Sequence, residues 1–206
     1  DNEYGIDHYV SDLSELIELL GVSGVVLIGH SMGGRISIKY TLANQDRVKG
    51  LVLISASGAP RDQKGSRPLA LRMMGSRIGR FLIKRIWSRN MARKSLEDMV
   101  FDKSSISDKE VDRMWDLSRY PGNMDAMFRE FTDSWADFDP AEVRAIATDT
   151  LLIWGEEDTV CPLSMGVWYD SLIPNATLVR LPKVGHNPQF ECPGGCLEEI
   201  SSWMAR

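Results

Sequence analysis

Four short apolar runs, separated by stretches of helical character, constrain the fold more than any other feature of the sequence. Continuous apolar runs of this length are typical of parallel strands that are buried on both faces. Strands that alternate with helices predict an α/β fold with one parallel sheet of about four strands and right-handed crossovers. The runs are Val25–Gly29, Val48–Ser55, Thr150–Trp154 and Thr177–Leu181, and the helical stretches around them are Ile6–Leu20, Gly33–Leu42, Leu163–Leu172 and Glu198–Met204.

The segment between the second and third runs departs from this alternation because it contains no strand-like run. It contains amphipathic helical patterns instead, one of which is the stripe Leu71, Met74, Ile78, Leu82 and Trp87. We therefore predict a helical insertion at residues 58–140 in a core formed by residues 1–57 and 141–206. A chain of 206 residues with 43% hydrophobic residues has enough apolar material for one core and a small inserted subdomain.

The first run ends in Gly29-His30-Ser31-Met32-Gly33, which has the pattern G-x-S-x-G. A sharp strand-to-helix turn of this kind lifts the serine hydroxyl clear of the sheet and strains the serine backbone. It also brings backbone segments too close for side chains at the two glycine positions, Gly29 and Gly33. The following helix offers free N–H groups and the positive end of its dipole, both of which suit an oxyanion. The pattern therefore predicts that Ser31 is a nucleophile.

A serine nucleophile needs a general base at neutral pH, and the chain has three histidines. His8 lies on the first helical stretch and is predicted to be at the surface. His30 precedes the serine and should point away from it, in a packing or polar supporting role. His186 lies in the loop after the last strand, and the carboxyl ends of parallel strands are where sheet enzymes place reactive groups. We predict that His186 is the base.

The acid that orients the base is expected after an earlier strand, and the sequence LLIWGEEDTVCP offers three carboxylates there. Asp158 is favoured because it is short and follows a glycine turn, and Glu157 is the alternative. The chain order is then Ser, Asp, His, which differs from the orders of chymotrypsin and subtilisin.

Through GHSMGG, LLIWGEEDTVCP and VGHNPQFECP, the sequence resembles the α/β-hydrolase fold superfamily, in particular its capped esterases, lipases and C–C hydrolases. The resemblance covers essentially the whole chain. It implies that Ser31 is the nucleophile, Asp158 the acid and His186 the base, with the backbone N–H of Met32 as one oxyanion donor. It also implies that residues 58–140 are the helical cap of this family.

The function that the resemblance implies is hydrolysis of a small-molecule carboxylic ester with a small or medium acyl group, through an acyl-enzyme on Ser31. This chemistry needs no metal and no organic cofactor. Two alternatives stay open, namely a C–C bond hydrolase of ring-fission diketones and a non-catalytic, ligand-binding member of the same fold.

One departure from the family's pattern concerns the strands that precede the first helix. In the family, the loop after one of these strands supplies a second oxyanion N–H, usually in a His-Gly motif, and no His-Gly pair lies before Gly29 here. The chain thus resembles the C-terminal portion of a longer protein. We expect the complete protein to be a hydrolase and this chain alone to be weakly active, since removing one oxyanion donor costs about a hundred- to a thousandfold in turnover. The first strand should then lie at an open sheet edge.

Charge is distributed unevenly along the predicted insertion. Residues 61–94 contain eleven Lys or Arg and one acid, whereas acids dominate residues 97–139 and the chain as a whole has a net charge of −5. The acidic total argues against nucleic acid as the partner. The basic stretch either pairs with the acidic half or faces solvent, or it forms a surface for anionic lipid or an acidic substrate.

Three cysteines are too few for a disulfide framework and favour reduced thiols in a cytoplasmic protein. Cys192 and Cys196 have the spacing of two metal ligands, but no nearby Cys or His pair completes a tetrahedral set, so no metal site is predicted.

Overall fold

The four apolar runs form one parallel sheet in the computed structural model, which describes residues 5–60, 76–132 and 136–206. The spatial order is the chain order, β1-β2-β3-β4, and every neighbouring pair is parallel. The α/β class and the number of strands are therefore as predicted. The strands are β1 (Val25–His30), β2 (Val48–Ile54), β3 (Thr150–Gly155) and β4 (Ala176–Leu181).

Helices occupy most of the remaining described chain. Four of them flank the sheet strands, one short helix follows β4, and five lie between β2 and β3. They are α1 (Ile6–Leu19), α2 (Met32–Ala43), α3 (Arg77–Ile86), α4 (Arg89–Glu97), α5 (Asp108–Arg119), α6 (Asn123–Thr132), α7 (Pro140–Arg144), α8 (Leu163–Leu172), α9 (Pro188–Glu191) and α10 (Pro193–Met204).

Helix α10 begins five residues earlier than the predicted Glu198, at Pro193. Proline is well tolerated at the first helical position because the N–H that it lacks has no acceptor there. Cys196 and Trp203 of this helix are buried against the sheet. This packing offsets the low helix propensity of the two glycines in the first turn.

Alternate residues of the central strands pack into separate apolar clusters on the two faces of the sheet. Leu51 and Leu53 join the cluster that contains residues of α2 and α8, whereas Val52 and Ile54 join the cluster that contains residues of α10. Both faces of β2 and β3 are therefore covered, which is why their sequences read as continuous apolar runs.

The segment between β2 and β3 contains helices and no strand among its described residues. Its own small core consists of Val100, Ile106 and Val111, packed by Leu96. Serines cap α3, α4 and α5, and the most complete cap is a capping box between Ser107 and Glu110 at the start of α5. That residues 58–140 form a separate domain stays a prediction.

Strand β1 pairs with β2 alone in the part of the chain that the structure describes, so it lies at an edge of the sheet. Its side chains Val26 and Ile28 are 36% and 54% exposed. An apolar, exposed edge strand is what the sequence led us to expect. None of the described helices is long and apolar enough to cross a membrane.

Candidate active site

The turn between β1 and α2 holds Ser31 in a strained backbone conformation. Its φ is 51° and its ψ is −114°, in a region that non-glycine residues rarely occupy. The surroundings fix this geometry: the Ser31 N–H donates to the Ile54 carbonyl over 3.0 Å, and the Ser57 N–H donates to the Ser31 carbonyl over 3.0 Å. The end of β2 thus holds the turn in place, and the predicted strain is confirmed.

The two close approaches at this turn occur at Gly29 and Gly34. A Cβ atom at Gly29 would lie 2.5 Å from the Gly33 carbonyl oxygen, and one at Gly34 would lie 2.5 Å from the Cβ of Ala56. The expectation that a side chain would not fit at Gly33 is wrong, because nothing lies within 4 Å of a Cβ at this position. Gly33 faces open space, whereas Gly34, one helical step further on, faces the chain after β2.

The structure brings Ser31, His186 and Asp158 into one hydrogen-bonded chain. The Ser31 Oγ and the His186 Nε2 lie 3.1 Å apart, and the His186 Nδ1 and the Asp158 Oδ2 lie 2.9 Å apart. A carboxylate only accepts hydrogen bonds, so Nδ1 carries the proton of the neutral ring and Nε2 presents its lone pair to the serine hydroxyl. Ser31 therefore donates to a nitrogen that can take its proton.

Asp158 is the carboxylate that reaches the histidine, and its side chain is 0% exposed. Its second oxygen, Oδ1, accepts the N–H groups of Val160 and Cys161, each over 2.8 Å. Three donors thus fix the orientation of the carboxylate. Glu157, the alternative acid, instead accepts the Val184 N–H over 3.0 Å. It thereby links the loop after β3 to the loop after β4.

Glu191 holds the histidine loop, a role that was not predicted from the sequence. Its carboxylate accepts the N–H groups on both sides of His186, from Gly185 over 2.9 Å and from Asn187 over 3.2 Å. It also accepts the Phe101 N–H over 2.7 Å, from the segment between α4 and α5. The one sequence signal for it was the acid placed five residues after the histidine, on the short helix α9.

The segment after α4 makes a further direct contact with the histidine loop. The His186 N–H donates to the Met99 carbonyl over 2.8 Å, and Gly185 lies so close that a Cβ there would be 2.9 Å from the same oxygen. The helical segment between β2 and β3 therefore contacts the site at the loop that carries His186.

His30 supports the histidine loop from the other side. Its Nε2 lies 2.8 Å from the backbone carbonyl oxygen of His186, so this nitrogen carries a proton and donates it. The two imidazole rings are tilted against each other with centroids 4.9 Å apart. Burial lowers the pKa of His30 below its ordinary value of 6.5, which favours the neutral ring. The predicted supporting role matches these contacts, and His8 is exposed as predicted.

Met32 occupies the first position of α2, directly after Ser31. The first N–H groups of a helix have no acceptor within it, and the helix dipole adds positive potential there. The Met32 N–H therefore has no acceptor within α2, and its role as an oxyanion donor stays a prediction.

The cysteines are free thiols. Burial, together with the neighbouring Cys192, raises the pKa of the Cys196 thiol to about 11, which keeps it protonated at neutral pH. No group of three or more metal-ligating side chains occurs among residues 5–60, 76–132 and 136–206.

Parallel strands that bring a strained serine, a histidine and an aspartate to one edge of the sheet are typical of α/β hydrolases. The family model of the alpha/beta hydrolase fold matches residues 1–193, and the chain belongs to this family.

Two curated relatives illustrate the range of the family around this chain. The "Uncharacterized hydrolase YugF" of Bacillus subtilis (strain 168) is 32% identical over 191 residues, which are 92% of this chain and 68% of the relative. The "2-hydroxy-6-oxo-2,4-heptadienoate hydrolase" of Pseudomonas putida is 24% identical over 212 residues, covering 98% of this chain and 71% of the relative. Among eight curated relatives, the chain spans 61–71% of their lengths.

Solved structures share the fold at lower identity. The 2-hydroxy-6-oxo-6-phenylhexa-2,4-dienoate hydrolase from Rhodococcus sp. strain RHA1 superposes with a TM-score of 0.83 at 19% identity, covering 100% of this chain and 74% of the other. A thermophilic esterase from Thermogutta terrifontis superposes with a TM-score of 0.76 at 21% identity, covering 97% and 72% of the two chains.

Proposed function

We propose that the protein is a serine hydrolase in which Ser31 attacks a carbonyl carbon, His186 acts as general base and then general acid, and Asp158 orients the imidazole. The observation that supports this proposal most strongly is the chain of hydrogen bonds from the Ser31 hydroxyl to the buried Asp158 carboxylate, with spacings of 3.1 Å and 2.9 Å. These are hydrogen-bond distances at which a proton is transferred directly.

The reaction that we favour at this site is hydrolysis of a carboxylic ester with a small or medium acyl group. Ser31 Oγ forms a bond to the carbonyl carbon while its proton passes to His186 Nε2. The carbonyl oxygen becomes an oxyanion beside the Met32 N–H. When the tetrahedral intermediate collapses, the C–O bond to the alcohol breaks and the imidazolium returns the proton to the alcohol.

Water completes the cycle by the same two steps, with water as the nucleophile and Ser31 as the leaving group. His186 takes a proton from water, the hydroxide attacks the acyl-serine, and Ser31 leaves with the proton returned by the histidine. Asp158 stays ionised throughout and stabilises the imidazolium. A helical cap at residues 58–140 would cover the acyl group.

A second candidate reaction is cleavage of a C–C bond beside a ketone in a dienone ring-fission product. It is favoured by the relatives that the chain matches, since several carry names of this kind, among them the Pseudomonas putida enzyme described above. The same histidine and aspartate would serve, but the leaving group would be a stabilised carbanion instead of an alcohol.

The experiment that separates the two reactions compares short-chain nitrophenyl esters with a 2-hydroxy-6-oxo-dienoate as substrates. The Ser31→Ala variant is assayed in parallel as a control. We expect ester turnover that Ser31→Ala abolishes and that Ser11→Ala, a substitution on the exposed face of α1, leaves unchanged. Turnover of the dienoate alone would favour the C–C reaction. Well-folded protein that turns over neither substrate but binds one would favour the ligand-binding alternative.

A further inference from the structure

Helix α3 (Arg77–Ile86) is strongly basic in a chain whose net charge is −5. It contains no acidic residue and carries four cations, Arg77, Arg80, Lys84 and Arg85. A concentration of one sign of charge against an acidic background marks this helix as a surface that attracts anions.

The helix buries only a narrow face. Gly79 and Ile83, four residues apart, are its buried positions. The adjacent row of large apolar side chains, also spaced by four, faces solvent instead. Its members Ile78, Leu82 and Ile86 are 75%, 45% and 60% exposed. Ile78 and Leu82 belong to the predicted amphipathic stripe, of which Leu71 and Met74 lie outside the described residues.

The next row around the helix combines positive charge with an exposed apolar side chain. Phe81 is 63% exposed and lies one turn from Arg77 on one side and one turn from Arg85 on the other. We name the two rows together the outer face of α3, consisting of Arg77, Ile78, Phe81, Leu82, Arg85 and Ile86. Isolated exposed apolar residues are ordinary, but four in contiguous positions on one helix mark a binding surface.

All the basic side chains of α3 except Arg85 line an open cleft of about 460 Å³ against α6, together with Phe81. Lys84 forms an ion pair of 2.5 Å with Asp125 there. Arg80 and Arg129 also line the cleft, so cations outnumber the single acid, Asp125. The cleft extends the positive surface from the outer face of α3 towards α6.

Ion pairing distinguishes α3 from the neighbouring helix α4. On α4, Arg89 pairs with Asp108 and Asp112, and Arg93 pairs with Asp108 and Glu97, so the basic and acidic halves of the segment do pair in part. Among the described residues, no ion pair involves Arg77, Arg80 or Arg85. Three of the four cations of α3 are therefore available to an external anion.

We propose that the outer face of α3 docks the protein onto an anionic lipid bilayer surface. A basic helix with exposed Ile, Leu and Phe side chains lies in the plane of the interface, with its apolar row among the acyl chains and its cations at the headgroups. A nucleic acid would match the charge but offers no site for the aliphatic row Ile78, Leu82 and Ile86. A second copy docked through its own α3 would bring like charges together.

The proposal is independent of the reaction at Ser31, because it concerns binding and is measured without turnover. The test is co-sedimentation of the full chain with vesicles of phosphatidylcholine alone and of phosphatidylcholine with 30% phosphatidylglycerol, at low and at high salt. We expect binding to the anionic vesicles at low salt, and release as salt screens the charges.

Two double variants separate the two contributions to binding. Arg77→Gln with Arg85→Gln should weaken the partition coefficient about 25-fold, at about fivefold for each cation near the surface. Ile78→Ser with Phe81→Ser should abolish insertion, since burial of apolar groups drives it. Matched controls are Arg113→Gln on α5 and Leu197→Ser on α10, whose side chains are also exposed. All these positions are at the surface, so the variants should keep the melting temperature of the parent.

Absence of binding to anionic vesicles at low salt would overturn the proposal. So would equal binding to neutral vesicles, or equal loss of binding in the two control variants. Binding to heparin without binding to vesicles would also overturn it, and would indicate that the outer face of α3 binds a soluble polyanion instead. A dimer in light scattering that the Ile78→Ser, Phe81→Ser variant converts to monomer, without vesicle binding, would assign it to a second copy.

Discussion

Replacing Glu191 by Gln tests whether one carboxylate holds the histidine loop. The carboxylate accepts N–H groups from Gly185, Asn187 and Phe101, and Gly185 lies within reach of both oxygens, at 2.9 Å and 3.0 Å. A glutamine has one accepting oxygen, and its NH₂ group would face donors on the other side. The substitution keeps the size of the side chain and removes the charge.

The size of the effect follows from these bonds. A hydrogen bond to a charged group contributes about 1.5–3 kcal/mol and a neutral one about 0.5–1.5 kcal/mol. Three charged bonds would become two neutral ones and an unmatched donor, but the Phe101 contact is exposed to solvent, which weakens it. We expect the free energy of unfolding to fall by about 1–3 kcal/mol, or the melting temperature by about 2–10 °C.

The effect on the histidine loop is measured separately from the stability of the whole fold. Amide hydrogen exchange at Gly185 and Asn187 should accelerate in Glu191→Gln, and reaction of Ser31 with a fluorophosphonate should slow about 10- to 100-fold, because small displacements of a base cost that much. Glu198→Gln, an exposed glutamate on α10, is the matched control. If both variants show the same exchange at Gly185 and the same reaction rate, the assigned role of Glu191 is wrong.

Two further predictions concern the turn and its neighbour. Gly29→Ala should lower the free energy of unfolding by about 2–3 kcal/mol, because its Cβ would lie 2.5 Å from the Gly33 carbonyl oxygen, whereas Gly33→Ala should raise it by up to about 1 kcal/mol through helix propensity. Urea unfolding of the two variants checks this, and equal effects would contradict the geometry of the turn. The lowered pKa of His30 means that the unfolded chain binds its proton more readily, so stability from this group is lost as pH falls below about 6.5 and is regained above it. His30→Asn, which keeps a donor but does not titrate, should flatten the pH dependence of unfolding between pH 5 and 7, while His8→Gln at an exposed position should not; identical profiles for all three proteins would refute the assignment.

The sheet could be predicted from the sequence because its signal is local. Strand β2 is buried on both faces and reads as a continuous apolar run, so its start at Val48 was predicted to the residue. The candidate site could be predicted because Ser31, Asp158 and His186 each follow a strand, and the carboxyl ends of parallel strands meet at one edge.

The parts that could not be predicted depend on contacts between distant segments. Glu191 acts on the backbone N–H groups of Gly185, Asn187 and Phe101, and the path of those loops is set by tertiary packing. Which of Gly33 and Gly34 makes the close contact is also set by packing, because Ala56, the neighbour of Gly34, follows a different strand. An amphipathic stripe on α3 likewise predicts a helix with an apolar face, but not whether that face is covered.

The central claim is that Ser31 is a nucleophile activated by His186, and covalent labelling tests it most directly. The folded chain is incubated with a fluorophosphonate and the modified residue is located by peptide mass spectrometry. We expect one label, on Ser31, that is absent from Ser31→Ala and that forms at least about a hundredfold more slowly in His186→Ala. Folded protein that takes up no label, or that is labelled as fast without His186 as with it, would contradict the account.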